Sequence, residues 1–196
     1  MVLHTLAAFA AVSRLSGVLV VVSHGDRFFE SRALPCRVVP CGGSTRAHSV
    51  LNGLLALIAE GAGADDWVLV HDAARCLITR FQIDALINAC IDDAVGGLLA
   101  LPLPDTLKQG ANGRVLQTVQ RTDKWLAQTP QMFRLGQLTA ALQAAGEAVT
   151  DESSAMEALG LSPLLVNGSA QNFKVTYPAD FALAEAVLQS RQAISV

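Results

Sequence analysis

Two aliphatic runs constrain the fold of this chain more than any other feature. Val18-Leu19-Val20-Val21-Val22 and Trp67-Val68-Leu69-Val70 show no alternation of polar and apolar residues, and each runs straight into a polar cluster. A strand with one wet face alternates, whereas a strand covered on both faces does not. Segments of helical spacing lie between such runs, so the pattern predicts an α/β fold with a mainly parallel, Rossmann-like sheet. Helices are expected over 4–15, 46–60, 79–92 and 135–146 and from Pro178, with a short one ending near Leu34. Strands are expected over 18–22, 37–40, 67–71, 97–101 and 163–167. From Pro102 to Gln131 the rhythm changes: turn residues such as Gly110-Ala111-Asn112-Gly113 separate short β-prone pieces. This stretch reads as a hairpin or arm projecting from the sheet, over about 104–131.

The 196 residues suit one domain spanning 1–196, and 52% apolar residues supply its core. A net charge of −3 and only three lysines give no basic footprint for nucleic acid. The aliphatic runs are far shorter than the roughly 20 residues of a membrane span. The N-terminus, Met1-Val2-Leu3-His4-Thr5, has neither a basic region nor a cleavage site. Cys36, Cys41, Cys76 and Cys90 have no paired spacing, which suggests reduced thiols and a cytoplasmic protein.

In a parallel sheet ligands bind beyond the carboxyl ends of the strands, where four polar clusters fall. Gly42-Gly43-Ser44-Thr45-Arg46 joins a strand to a helix: the glycines admit close approach of backbone amides to an anion, while Ser44 or Thr45 equally suits a helix cap. In His71-Asp72-Ala73-Ala74-Arg75, Asp72 is placed for a hard cation such as Mg²⁺, and Arg75 for a phosphate. The same two residues could instead simply pair with each other. Lys174, in Asn172-Phe173-Lys174-Val175-Thr176, would meet an anion or snorkel to solvent. Thr150-Asp151-Glu152-Ser153-Ser154 reads as a helix start with acids in its first turn. There is no Gly-x-Ser-x-Gly nucleophile turn, and the histidines and cysteines lack zinc spacing. A cation, a phosphate clamp and a glycine loop together suggest a nucleotide or sugar phosphate.

In order along the chain stand Gly42-Gly43-x-x-Arg46-x-x-Ser49-Val50-x-Asn52-Gly53-Leu54, Trp67 to Arg75, and Asp105-Thr106-Leu107-Lys108. They are followed by Thr118-Val119-x-Arg121, Ala127-Gln128-Thr129-Pro130-Gln131-x-Phe133, Thr150-Asp151-Glu152-x-Ser154-Ala155 and Asn172-x-Lys174-Val175-Thr176. From about His4 to Leu188 this series resembles the 2-C-methyl-D-erythritol 4-phosphate cytidylyltransferase family. The resemblance implies attack of the substrate phosphate on the α-phosphorus of CTP, with Mg²⁺ as cofactor and pyrophosphate released. It implies Asp72 as metal-holding and catalytic, with Lys174 and Arg134 positioning the attacking phosphate. Gly43, Ser44, Ser49 and Ala73 would line the cytidine site, and Arg75, Thr118, Thr150 and Thr176 the substrate phosphate site. The arm would interlock two subunits of a homodimer and share site residues across it.

Cys76, Ser44 and Gln120 stand where the family usually has proline, an acidic residue and aspartate. Family members also begin with a strand, a glycine-rich loop and a Pro-Lys pair that wrap the triphosphate. This chain starts at the helix after them, so the resemblance implies two open strand edges and little activity for the 196 residues alone. The alternatives are a relative acting on another polyol phosphate, such as ribitol 5-phosphate, and a non-catalytic dimerising or binding module.

Overall fold

The computed structural model describes residues 1–146 and 149–194. In chain order the elements are α1 (Val2–Ala10), β1 (Leu19–Val21), β2 (Arg37–Val39), α2 (Arg46–Ala59), β3 (Trp67–Val70), α3 (Arg80–Cys90) and β4 (Gly96–Pro102). There follow β5 (Leu107–Ala111), β6 (Arg114–Val119), β7 (Trp125–Arg134), α4 (Leu135–Ala145), α5 (Glu152–Ala158), β8 (Leu164–Asn167) and α6 (Pro178–Ile194). A four-stranded sheet has the order β3-β7-β4-β8. Strands β4 and β8 are parallel, and β7 is antiparallel to both of its neighbours, so β3, β4 and β8 share one direction.

Helices cover both faces of this sheet. On one, Phe9 and Val12 pack with Ile83, Leu86 and Ile87 of α3 against Leu99 and Met132. On the other, Leu54 of α2, Leu138 and Ala141 of α4, and Met156 of α5 close over Phe133. Burial of whole aliphatic side chains, each stabilising by about 1.5–3 kcal/mol, holds the layers together. A smaller cluster of Cys76, Leu77, Val175 and Ala184 seats α6.

Two expectations are corrected. The segment before Leu34 forms hydrogen-bonded turns rather than a helix. The projecting piece is the β5–β6 hairpin alone, and residues 125–131 belong to β7 in the centre of the sheet. Pro130 and the polar Gln128, Thr129 and Gln131 make β7 read as a loop, since proline is rare in central strands. All three polar side chains are buried and bonded: Gln128 to Ser169, Thr129 to Asp72, and Gln131 to Asp151 and Ser153.

The remaining strands, β1 and β2, pair in parallel as a separate two-stranded sheet. Between β1 and β3 lies a cavity of about 1190 Å³, walled by Leu19, Val21, Trp67 and Leu69, with Phe9 and Leu54 on its two sides. Both strands point towards the start of α2: Gly42 N–H donates to Val22 O just beyond β1, and Arg46 bonds Asp72 just beyond β3. Two parallel strand edges therefore face one slot.

Candidate active site

The site lies where β3 ends. Asp72 N–H donates to Thr129 Oγ1 at 3.0 Å, and that oxygen lies 2.9 Å from His71 Nδ1. His71 Nε2 is 3.2 Å from the Arg75 carbonyl, which can only accept. The His71 ring therefore donates from Nε2 and accepts the Thr129 hydroxyl proton at Nδ1. Burial, only partly offset by these bonds and by the Asp72 charge, lowers the His71 pKa to about 4 and keeps the ring neutral. This chain of bonds anchors the loop that carries Asp72.

Asp72 meets two cations. Lys174 Nζ lies 3.1 Å from Oδ2, and Arg46 Nε lies 2.8 Å from Oδ1. Burial opposes ionisation, but Arg46 first and then Lys174 hold the carboxyl below the ordinary aspartate range. Arg75 does not pair with Asp72 in the loop: its Nη1 and Nη2 donate to the carbonyls of Asn172 and Ala127. The loop carrying Lys174 is fixed by the fully buried Asn172, whose amide donates to Thr129 O at 2.9 Å, and by Val175 N–H donating to Ala74 O. Lys174 is half exposed, so its ammonium reaches both Asp72 and solvent. Thr176 follows it, with its N–H on Asp180 and its hydroxyl on the Lys174 carbonyl.

The glycine loop meets the same end of the sheet. Thr45, rather than Ser44, caps α2, accepting from His48 N–H at 3.1 Å. Gly43 N–H donates to Ser49 Oγ, and a Cβ on Gly43 would come within 2.5 Å of His48 Cβ, so the turn needs glycine. Ser44 Oγ lies 3.0 Å from His48 Nδ1. Ala73 presents its carbonyl to the Thr5 hydroxyl.

Two residues absent from the expected site hold it together. Glu152, fully buried, takes Arg46 Nη1 and Nη2 on its two carboxylate oxygens at 2.7 and 3.0 Å. Burial works against the Arg46 charge, but Glu152 and then Asp72 outweigh it and raise the guanidinium pKa further. A signal for this existed in the sequence: a cation in the first turn of α2 opposes the helix dipole and calls for a nearby anion. The Thr150–Ser154 segment is a capped helix start as well, with Asp151 and Ser154 in a capping box and Thr150 N–H on Ser154 Oγ.

Two expected residues are not brought to Asp72 within the chain. Thr118 lies on the hairpin, bonded to Lys108 Nζ at 2.7 Å. Arg134 pairs with Trp67 in the β3–β7 register, at the opposite end of β3 from Asp72. Its guanidinium stacks 3.9 Å over the Trp67 ring and donates to the Asp65 carbonyl. The expected place beside an attacking phosphate is not met within one subunit, because the register of β7 carries Arg134 to the far edge.

Among the described residues no group of three or more His, Cys, Asp or Glu side chains could cage a metal. Each Asp72 oxygen accepts one bond from a cation, which leaves each a lone pair. Mg²⁺ binds through one or two carboxylates, water and substrate phosphates, so Asp72 fits an ion carried in with a triphosphate.

The sequence profile of the family described as 2-C-methyl-D-erythritol 4-phosphate cytidylyltransferase matches residues 1–190. The bifunctional enzyme IspD/IspF of Albidiferax ferrireducens is 70% identical over 194 residues, 97% of this chain but only 46% of that enzyme. The chain thus spans less than half the length of that relative. The 2-C-methyl-D-erythritol 4-phosphate cytidylyltransferase of Chromobacterium violaceum is 54% identical over 193 residues, 96% of this chain and 84% of that protein. The crystal structure of a 4-diphosphocytidyl-2C-methyl-D-erythritol synthase superposes with a TM-score of 0.88 at 42% identity, over 94% of this chain and 88% of the other.

Proposed function

Because the chain belongs to the 2-C-methyl-D-erythritol 4-phosphate cytidylyltransferase family, we propose that it transfers a cytidylyl group from CTP to 2-C-methyl-D-erythritol 4-phosphate. The observation that carries this reading is the Lys174–Asp72 pair, 3.1 Å apart at the end of β3 beside the start of α2. Lys174 is placed to exchange Asp72 for a substrate phosphate and to aim one of its oxygens at the α-phosphorus. A bond forms from that oxygen to phosphorus, the bond to the bridging oxygen of pyrophosphate breaks, and no proton need move. Such transfer rests on positioning and on charge stabilisation.

Arg75, Thr150 and Thr176 would shape the phosphate site, and Gly43, Ser44, Ser49 and Ala73 the cytidine site. Asp72 would hold Mg²⁺, which when bound neutralises the triphosphate. The β5–β6 hairpin, with Val115 and Leu116 each 63% exposed, supports a homodimer in which Thr118 reaches the partner's site. The four cysteines are free and, among the described residues, no helix is long and apolar enough to cross a membrane. Both fit work in a reducing cytoplasm.

The test is pyrophosphate release from CTP, Mg²⁺ and methylerythritol phosphate, by this chain and by one extended upstream. Release that requires methylerythritol phosphate supports the reading. No release from either protein, or release with ribitol 5-phosphate alone, overturns it.

A further inference from the structure

Glu152 is a fully buried carboxylate, a costly thing to keep unless it is paired and bonded. As the first residue of α5 it sits where an acid ordinarily faces solvent and the helix dipole. Here both its oxygens turn inward onto the terminal nitrogens of Arg46, in the two-pronged geometry that only a guanidinium offers. With Nη1 and Nη2 fixed, the plane of Arg46 is fixed, and its remaining edge directs Nε at Asp72 Oδ1, 2.8 Å away. Asp72 Oδ2 is left facing Lys174. A tether between α5 and α2 alone would not need the third bond, and buried ion pairs are poor stabilisers compared with apolar residues of the same volume.

We propose that Glu152 is a positioning residue: it locks the Arg46 fork, and through Arg46 it holds the Asp72 carboxylate with Oδ2 and Lys174 turned towards the reacting phosphates. The catalytic part of this inference rests on the cytidylyltransferase reading; the geometric part does not. Without Glu152 the Arg46 fork is free to grip Asp72 with both prongs or to swing towards the phosphates, in competition with Lys174. Lysine at position 46 would keep the charge but lose the fork.

The experiment uses the whole chain, with Glu152→Gln, Arg46→Lys and, as a control for lost stability, the core variant Leu138→Ala. Arginine labelled with ¹⁵N reports hydrogen exchange at the Arg46 guanidinium, and steady-state kinetics report kcat and KM. Glu152→Gln is expected to speed exchange of the Arg46 Nε–H by about 10-fold or more, the cost of freeing a bonded charged group. Glu152→Gln and Arg46→Lys are both expected to lower kcat by about 10–100-fold, as loss of a supporting shell does, with KM little changed. Leu138→Ala should lower the melting temperature while leaving both readouts alone. Arg46 exchange unchanged in the folded Glu152→Gln variant overturns the inference whether or not the parent turns over. Faster exchange with undiminished kcat, or the same changes in Leu138→Ala, overturns it as well. If Glu152→Gln does not fold, Glu152→Asp, which keeps the charge but withdraws it from the fork, takes its place. If neither this chain nor the one extended upstream releases pyrophosphate, the cytidylyltransferase reading falls, and the exchange at Arg46 still decides whether Glu152 locks it.

Discussion

Lys174 Nζ lies 3.1 Å from Asp72 Oδ2, while the other oxygen of the same carboxylate is held by Arg46. The two cations differ in freedom. Arg46 is locked by a buried partner, whereas Lys174 is half exposed and can leave. Lys174→Met is therefore expected to cut pyrophosphate release by roughly 10²–10³-fold, the usual cost of removing one stabiliser of transferring charge. Stability should fall by about 1–2 kcal/mol, because the largely buried Asp72 carboxylate loses one of its two cationic partners and keeps Arg46. Steady-state rates and a thermal melt check both; unchanged turnover would sink the role given to Lys174.

His71 predicts an acid limb in stability. Its pKa is about 4 in the folded chain, against roughly 6.5 when unfolded. Between these values the unfolded chain binds the proton first, so stability falls as pH drops from about 6.5 to about 4, by on the order of 3 kcal/mol. Asp72 and Asp151, whose folded pKa values are also lowered, add further loss at lower pH. Urea midpoints measured across this range should show the slope, and His71→Gln should flatten its upper part. A slope that survives in the variant rules His71 out as its source.

Arg134→Ala should act on the fold rather than on substrate. It removes a stacked cation over Trp67 and a bond to the Asp65 carbonyl, a loss of about 1–2 kcal/mol. KM for both substrates should stay as in the parent. A selective rise in KM for methylerythritol phosphate would return Arg134 to the site by way of a partner subunit.

The hairpin gives a prediction about assembly. Val115→Lys with Leu116→Lys places two charges on its exposed apolar residues, and a charged pair of this kind is not tolerated in an apolar interface. Light scattering should find the parent dimeric and the double variant monomeric, with unchanged circular dichroism. A parent already monomeric at the same concentration removes the hairpin from assembly.

The strands β1 and β3, α2 and the helix start at Asp151 were legible because local pattern and capping chemistry decide them, but β1 and β3 are only partly buried, since the slot between them leaves neither covered all round. Asp72 and Lys174 were legible because a carboxylate at a strand tip and a lysine among apolar residues are locally anomalous. Strand β7 was not, because the bonds that satisfy Gln128, Thr129 and Gln131 come from Ser169, Asp72 and Asp151, distant in the chain. Glu152 was hidden for the same reason: only the meeting of α5 with α2 converts an ordinary first-turn acid into the clamp on Arg46. The place of Arg134 depends on strand register, and one residue of slip there would send its side chain to the other face.

The slot between β1 and β3 joins the apolar interior to the charged end of the sheet. It runs from Leu19, Val21, Trp67 and Leu69 to Arg46 and Asp72, so the polarity of whatever fills it sets how strongly those two charges feel each other.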